Sequence, residues 1–483
     1  VTGIDVVFKD LRGGDILFLP QRIAVVGQGN SAAAYSTDKR QVTSAAEVAT
    51  EYGPGSPLHL AVLQLLPING DGVGTIPVTV FPLEDDGAGV ASVGDITPIN
   101  AATEAASYKV RVNNIDSEEF VVSPGDAVAD IVTDITAKIN AVLEMPVIAA
   151  DNVTDVTITS KWEGVSANDI VVEVVGPSVG VTFGITQPVG GLVNPDIDAA
   201  LAQIGDIWET LVLNCLDIAD TDILDTYSAF GEGRWGELTK KPLIVFTGNT
   251  ATTVAAAIVV SDARKIDRTN AQLVAPGSND LPFVVASRQL ARIAVVANNN
   301  PPQDYGSQSA TGLTPGADGV QWNYAEQNLA VTSGSSTTKV KDGVIDIADV
   351  VTFYHPTGDP IPAYRYVVDI IKLMTIIFNT DLIFATPEWD GAPLIPDDQP
   401  TTNPTAKQPK SAVAAIASMV DSLGENAIIS DSKEAKASIA AQINSQNPKR
   451  LDVDFTVRVS GNTNIKGVTL NWGFSFGTQP IVG

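Results

Sequence analysis

Cysteine occurs once in the 483 residues, at Cys215, so no disulfide can close within the chain. Histidine occurs only at His59 and His355, which together with a single thiol leaves no ligand set for a zinc-type site. Basic residues are scarce: 29 Lys and Arg stand against 56 Asp and Glu, a formal charge of −27. A surface of that sign repels phosphate, which excludes nucleic acid as a general partner. Long apolar runs are also missing. The most apolar stretch, 364–378, is broken by Arg365, Asp369 and Lys372 and falls short of the roughly 20 residues that span a bilayer. The first nine residues show no basic start followed by an apolar run, so no secretory signal is expected. These absences predict a soluble protein with no membrane partner and no metal or other cofactor, stabilised by packing and association.

What is present suffices for packing. Hydrophobic residues make up 44% of the chain and charged residues 18%, so large cores can be buried, and the length predicts two to four domains. The start reads as α/β. Ile23 to Val26 form a buried strand that ends in the turn Gly27-Gln-Gly29. A helix follows from Ser56, which can cap, with Pro57 at the first helical position and Leu58, Val62, Leu65 and Leu66 on its apolar face. A second strand is expected over 76–81.

From Glu84 the pattern changes to alternation. Tyr108, Val110 and Val112 face one way and Lys109 and Arg111 the other. A Ser123-Pro-Gly-Asp126 turn leads to a helix over 128–143, and 153–160 alternates again. Residues 95–175 read as a small α+β module. The segment 84–175 holds 17 acidic and 4 basic residues, a balance that prefers solvent to a crowded interface. A second α/β stretch runs from Asp196 to about Val351. It has buried strands over 208–214 and 242–247, apolar runs at 249–260 and 287–298, and a long loop over 298–319 that suggests a surface meeting a partner.

The last part is predicted to hold a buried helix over 364–378 and a second helix, capped at Asp431 with Glu434 at capping-box spacing, continuing to Ser445. Beyond Pro448, Leu451, Val453, Phe455, Val457 and Val459 alternate with Asp452, Asp454, Thr456, Arg458 and Ser460. A turn at Gly461-Asn462 then precedes Val468, Leu470, Trp472, Phe474 and Phe476. Two amphipathic strands forming a hairpin are expected. Ile4, Val6 and Phe8 form a shorter strand of the same kind near the N-terminus.

Gly27-Gln-Gly29 invites a dinucleotide reading, but Ala32 stands where a third glycine belongs and no tight helix follows, so a strand-ending turn is expected. His355 has no serine or cysteine nucleophile patterned with it and reads as a polar loop histidine. Glu84-Asp85-Asp86 and Asp397-Asp398 lack the alternating oxygen spacing of a calcium loop and read as solvated turns. No catalytic, cofactor or metal residue is assigned, and an enzyme is not expected.

Several pieces spread over the chain resemble contractile tail sheath proteins of Mu-type phages. They are Arg22-Ile-Ala-Val-Val-Gly-Gln28, the Tyr52-Gly-Pro-Gly-Ser56 turn with its helix, Arg234-Trp-Gly236, the segment 331–351 running into Thr352-Phe-Tyr354, and the closing hairpin. The resemblance implies a homo-oligomer of stacked hexameric rings around a tail tube, with baseplate and tail terminator proteins as further partners, in a virion tail assembled in the host cytoplasm. It implies terminal arms that add strands to a neighbour's sheet. Ile4, Val6 and Phe8 would form the N-terminal arm, and the apolar positions from Leu451 to Phe476 the C-terminal one. The expected division is an arm 1–20, an α/β sheath domain 21–94 plus 190–351, an outward acidic insertion 95–189, an inner domain 352–450 and a hairpin arm 451–483. Residues 407–466 hold 8 basic and 6 acidic residues in an otherwise acidic chain, and Lys433 and Lys436 are the candidate tube contact. The alternative is a virion surface adhesin or shell protein that binds a receptor or glycan through the insertion.

Overall fold

A computed structural model describes residues 16–464. Its centre is a six-stranded sheet ordered 270–274, 244–249, 211–214, 23–28, 78–83, 40–42, in which only Arg40–Val42 is antiparallel. Ile23 pairs in register with Leu211 on one side and Val78 on the other. Every residue of Ile23–Gln28 is buried, as a central parallel strand covered on both faces requires.

The pleat divides that strand between two layers. Ile23 and Val25 join the core under helices Pro57–Leu65 and Pro282–Asn299, while Ala24 and Val26 pack with Ala200, Leu201, Ile223 and Tyr227 of helices Asp198–Ala202 and Thr221–Arg234. The first covering helix starts as its sequence dictates: the Ser56 side chain accepts from the His59 N–H, and Pro57 opens the helix.

Residues 91–189 depart from this sheet and return to it. Phe183–Val189, Ala91–Pro98, Val156–Glu163 and Val147–Asp151 form an antiparallel sheet in that order. A second sheet joins Val172–Val175, Ala106–Val112, Ile115–Asp116 and Phe120–Val122. The alternation holds: Tyr108, Val110 and Val112 are buried, and Tyr108 stacks on Phe120 at 5.5 Å. Helix Val128–Ala141 buries Ile131, Val132, Ile135 and Ile139, one stripe at helical spacing. This α+β unit is seated on the α/β sheet by Lys161, whose ammonium donates to the carbonyls of Pro54 and Leu143, and by Trp162 edge-on to Phe283 at 6.1 Å.

Two expectations change here. The 298–319 loop is held to its own chain rather than presented whole to a partner. The Ser307 and Ala310 N–H groups donate to the carbonyls of Ile347 and Ile345, and Tyr305, Ala310 and Leu313 are buried. A long irregular segment must satisfy its backbone somewhere, and strand Val344–Asp349 supplies the partners. The helix expected to reach Ser445 stops at Ser438, and Ala440–Ile443 is a strand paired antiparallel with Leu451–Asp454. Pairing with the alternating stretch that follows Pro448 outweighs the local helical propensity of the alanines.

The C-terminal part is built on helix Val367–Phe384, its partner Pro409–Glu425 and the short helix Ser432–Ser438. Ile376, Ile416, Met419, Val420, Leu423, Ile428 and Ala435 form a separate core there. Among the described residues no helix is long and apolar enough to cross a membrane, and no cluster of three or more His, Cys, Asp or Glu is placed to hold a metal ion.

Candidate assembly surface

Both ends of the described chain converge on the C-terminal core. Ile16 and Phe18 pack against it, the Ile16 N–H donates to Ser422 Oγ at 3.0 Å, and the Leu17 backbone is held by Asn379 of helix Val367–Phe384. At the other end Phe455 and Val457 pack against the same core, and Val459 bridges Ile429. Leu451, Val453, Phe455, Val457 and Val459 are half-buried while Asp454, Thr456 and Arg458 are exposed, so the alternation read from the sequence is kept over 453–459, whereas Asp452 and Ser460 are half-buried as well. Only Leu451–Asp454 is formally a strand, and its partner is Ala440–Ile443 of the same chain. Ile4, Val6, Phe8, Val468, Leu470, Trp472, Phe474 and Phe476 lie outside the described residues.

Beside that strand runs an apolar groove of about 810 Å³. Thr380, Phe384, Trp389, Leu451, Val453 and Phe455 line it. Phe384 meets Trp389 edge-on at 5.2 Å, and the Lys407 ammonium lies 5.2 Å from the Trp389 ring centroid. Leu451–Asp454 and Ala440–Ile443 make a sheet of two strands only, so among the described residues each has one edge without a strand neighbour. An open edge next to apolar side chains can accept an extended segment, with main-chain hydrogen bonds for affinity and the groove for register.

The two candidate tube-contact lysines differ. Lys433 is exposed, whereas Lys436 is half-buried and its ammonium lies 2.6 Å from Asp421 of helix Pro409–Glu425. Lys436 thus serves first to join two helices of its own subunit.

The remaining sequence motifs are structural. A Cβ on Gly27 would lie 2.8 Å from Cys215 Cβ, and one on Gly29 would collide with the Tyr35 ring. The Tyr35 hydroxyl accepts from the Gly29 N–H and donates to the Leu83 carbonyl, and burial pushes its pKa up to about 12. An aromatic ring therefore occupies the turn where a pyrophosphate would approach. Asp85 is not merely a solvated turn, since it accepts from Gln28 and Ser31 at 2.5 Å each. His355 is the polar loop histidine expected, and it is buried, with Nδ1 2.7 Å from the Phe353 carbonyl and Nε2 3.2 Å from Asp262.

Arg234 spreads its guanidinium over the carbonyls of Lys241, Gly205 and Ile207. Its neighbour Trp235 meets Tyr364 edge-on at 5.6 Å, and the Arg268 guanidinium lies 4.5 and 4.9 Å from the centroids of these two rings and pairs with Glu232. Sequence reading did not single out Asn379 or helix Pro409–Glu425. The signals were a polar residue among the buried positions of helix Val367–Phe384, and Ala412, Ile416, Met419, Val420 and Leu423 at helical spacing after a proline.

The chain is 25% identical over 342 residues to the Mu-like prophage FluMu tail sheath protein of Haemophilus influenzae, an alignment covering 69% of this chain and 68% of that protein. The solved sheath tail protein of Listeria innocua aligns over 93% of both chains at 13% identity, with a TM-score of 0.48. The helical sheath of the anti-feeding prophage in its contracted state aligns over 98% of this chain and 99% of that one at 9% identity, with a TM-score of 0.46. No protein-family model matches. Over about two thirds of its length the chain is thus similar to the tail sheath protein of a Mu-like prophage.

Proposed function

We propose that this chain is the structural subunit of a contractile tail sheath, which polymerises as stacked hexameric rings around a tail tube and shortens from a metastable extended state. It performs no catalysis in this role. The observation that carries the reading is the convergence of both described chain ends on one small helical core, beside an open-edged two-stranded sheet and an apolar groove. Residues 1–20 and 451–483 then act as arms, each adding a strand to an adjacent subunit. Strand Leu451–Asp454 of the C-terminal arm belongs to the receiving sheet of its own subunit, which leaves residues beyond 464 as the part assigned to a neighbour.

Arms of this kind suit a lattice that changes shape. A paired ladder survives rigid-body rotation of the attached domains because the flanking dihedrals absorb the change. Repacking that buries about 500 Å² of apolar surface per subunit, at ~25 cal/mol/Å², releases about 12 kcal/mol gross. Desolvation and ordering offset much of it, and a few kcal/mol per subunit summed over a polymer still drives contraction.

The domain division follows the same reading: sheath domain 21–94 plus 190–351, acidic insertion 95–189 facing outward, inner domain 352–450. Tube contact falls to the inner domain through helix Ser432–Ser438, with Lys433 as its exposed charge. Tube, baseplate and terminator proteins are the partners, and the virion tail, assembled in the host cytoplasm, is the location. Electron microscopy of the purified protein tests the whole reading. Hollow striated tubes or rings of uniform diameter are expected, and dispersed particles that bind a receptor or glycan through the insertion would favour an adhesin instead.

A further inference from the structure

Lys372 lies in the middle of helix Val367–Phe384 with its side chain 0% exposed. An ammonium removed from water is tolerated only when its N–H groups find acceptors. Three are in place: Asp369 Oδ1 at 3.0 Å, the Ser460 carbonyl at 2.6 Å and Asn462 Oδ1 at 2.7 Å. Three acceptors saturate the three donors of the charged form. Only Asp369 belongs to the same helix. The other two come from the last five described residues, 88 and 90 positions along the chain.

That segment is fixed from other sides as well. The Ser460 N–H donates to the Ile428 carbonyl at 3.0 Å, Ser460 Oγ to the Ala427 carbonyl at 2.5 Å, and Asn462 Nδ2 to the Pro302 carbonyl at 2.8 Å. Asn462 therefore joins the Lys372 helix to the loop that follows helix Pro282–Asn299. Two residues on, Asn464 lines a groove of about 320 Å³ with Tyr324, Gln327, Val331, Asp349 and Tyr366.

We propose that Lys372 is the positioning residue of the C-terminal arm: its buried ammonium clamps Ser460 and Asn462 and so fixes the root of that arm. This rests on the reading of those residues as an arm between subunits. The logic is mutual. Without the 460–462 segment the helix carries a buried charge short of two acceptors, and without the ammonium the segment loses the hydrogen bonds that tie it to helix Val367–Phe384. An arm that must meet a neighbour's sheet in register gains from a fixed origin, because freedom at its root would have to be frozen out at each joining event.

The test uses the full chain with Lys372→Met, Asn462→Ala and, separately, a deletion of 465–483. Amide hydrogen exchange of 458–464 is followed in the unassembled subunit, and polymer formation at least 20 °C below each variant's melting temperature. Lys372→Met is expected to raise exchange at Ser460 at least tenfold and to raise the concentration needed for polymerisation at least tenfold. Asn462→Ala is expected to do the same to a smaller degree, and it keeps the test open should Lys372→Met fail to fold. Unchanged exchange at Ser460 in Asn462→Ala and in folded Lys372→Met overturns the clamp, as does faster exchange with an unaltered polymerisation threshold. A 465–483 deletion that still polymerises overturns the arm reading, separately from the exchange result at Ser460.

Discussion

Asn379 treats Leu17 as a neighbouring strand would: the Leu17 N–H donates to Asn379 Oδ1 at 2.8 Å, and Asn379 Nδ2 donates back to the Leu17 carbonyl at 2.8 Å. One carboxamide thus satisfies both backbone groups of a residue at the inner end of the proposed N-terminal arm, 1–20. Together with Lys372 it makes helix Val367–Phe384 the root of both chain ends.

Asn379→Leu removes both hydrogen bonds and leaves two backbone groups without these partners. A loss of about 1–3 kcal/mol of stability is expected, seen as a lower urea midpoint. Limited proteolysis within residues 1–20 is expected to accelerate while cleavage elsewhere keeps its rate.

The Arg234 guanidinium reaches three carbonyls from two separate loops, which a lysine cannot match with one point charge. Arg234→Lys is expected to cost about 2 kcal/mol, from carbonyls left unpaired at a buried site. Equilibrium denaturation measures it, and a change under about 0.5 kcal/mol would show those contacts to be dispensable.

Burial, reinforced by the Asp217 carboxylate, pushes the Asp169 pKa up to about 7. In the unfolded chain the group titrates near ~3.9, so between these values the native state holds a proton that the unfolded state releases. The contribution is fully present below about pH 4 and is lost as pH rises through about 7. Asp169→Asn is therefore expected to stabilise the protein at pH 8 and to have little effect at pH 4. Denaturation midpoints of both proteins at the two pH values give the comparison.

Charge reversal of both lysines, Lys433→Glu with Lys436→Glu, is expected to abolish co-sedimentation with tail tubes and to leave self-assembly intact. Lys436→Glu alone also sets two acidic groups against each other at Asp421, so a modest stability loss should accompany it. Tube binding that persists in the double variant removes the assignment.

The legible parts of the fold were those set locally. The strand at Ile23, the Ser56 cap with Pro57, and the alternation around Tyr108 each depend on a few adjacent residues whose periodicity or hydrogen-bonding chemistry admits one answer. The illegible parts depend on partners far along the chain. Ala440–Ile443 has helical composition and becomes a strand because Leu451–Asp454 lies against it. Lys372 read as an interruption in an apolar helix, because its acceptors lie about 90 residues away. At the assembly surface the apolar positions Leu451 to Val459 were visible in sequence. Trp389, Phe384 and Asn379 were not, since nothing local marks the first two as facing that strand or the third as holding Leu17.

The central claim is that the chain ends join neighbouring copies through strand pairing at the Ala440–Ile443 and Leu451–Asp454 sheet. A cryo-electron microscopy structure of the polymer tests it most directly. The account predicts that residues from the 1–20 and 465–483 segments of other subunits pair with the open edges of that sheet, with apolar side chains in the groove lined by Phe384 and Trp389. Both segments folded back on their own subunit, with those edges unpaired between copies, would contradict it.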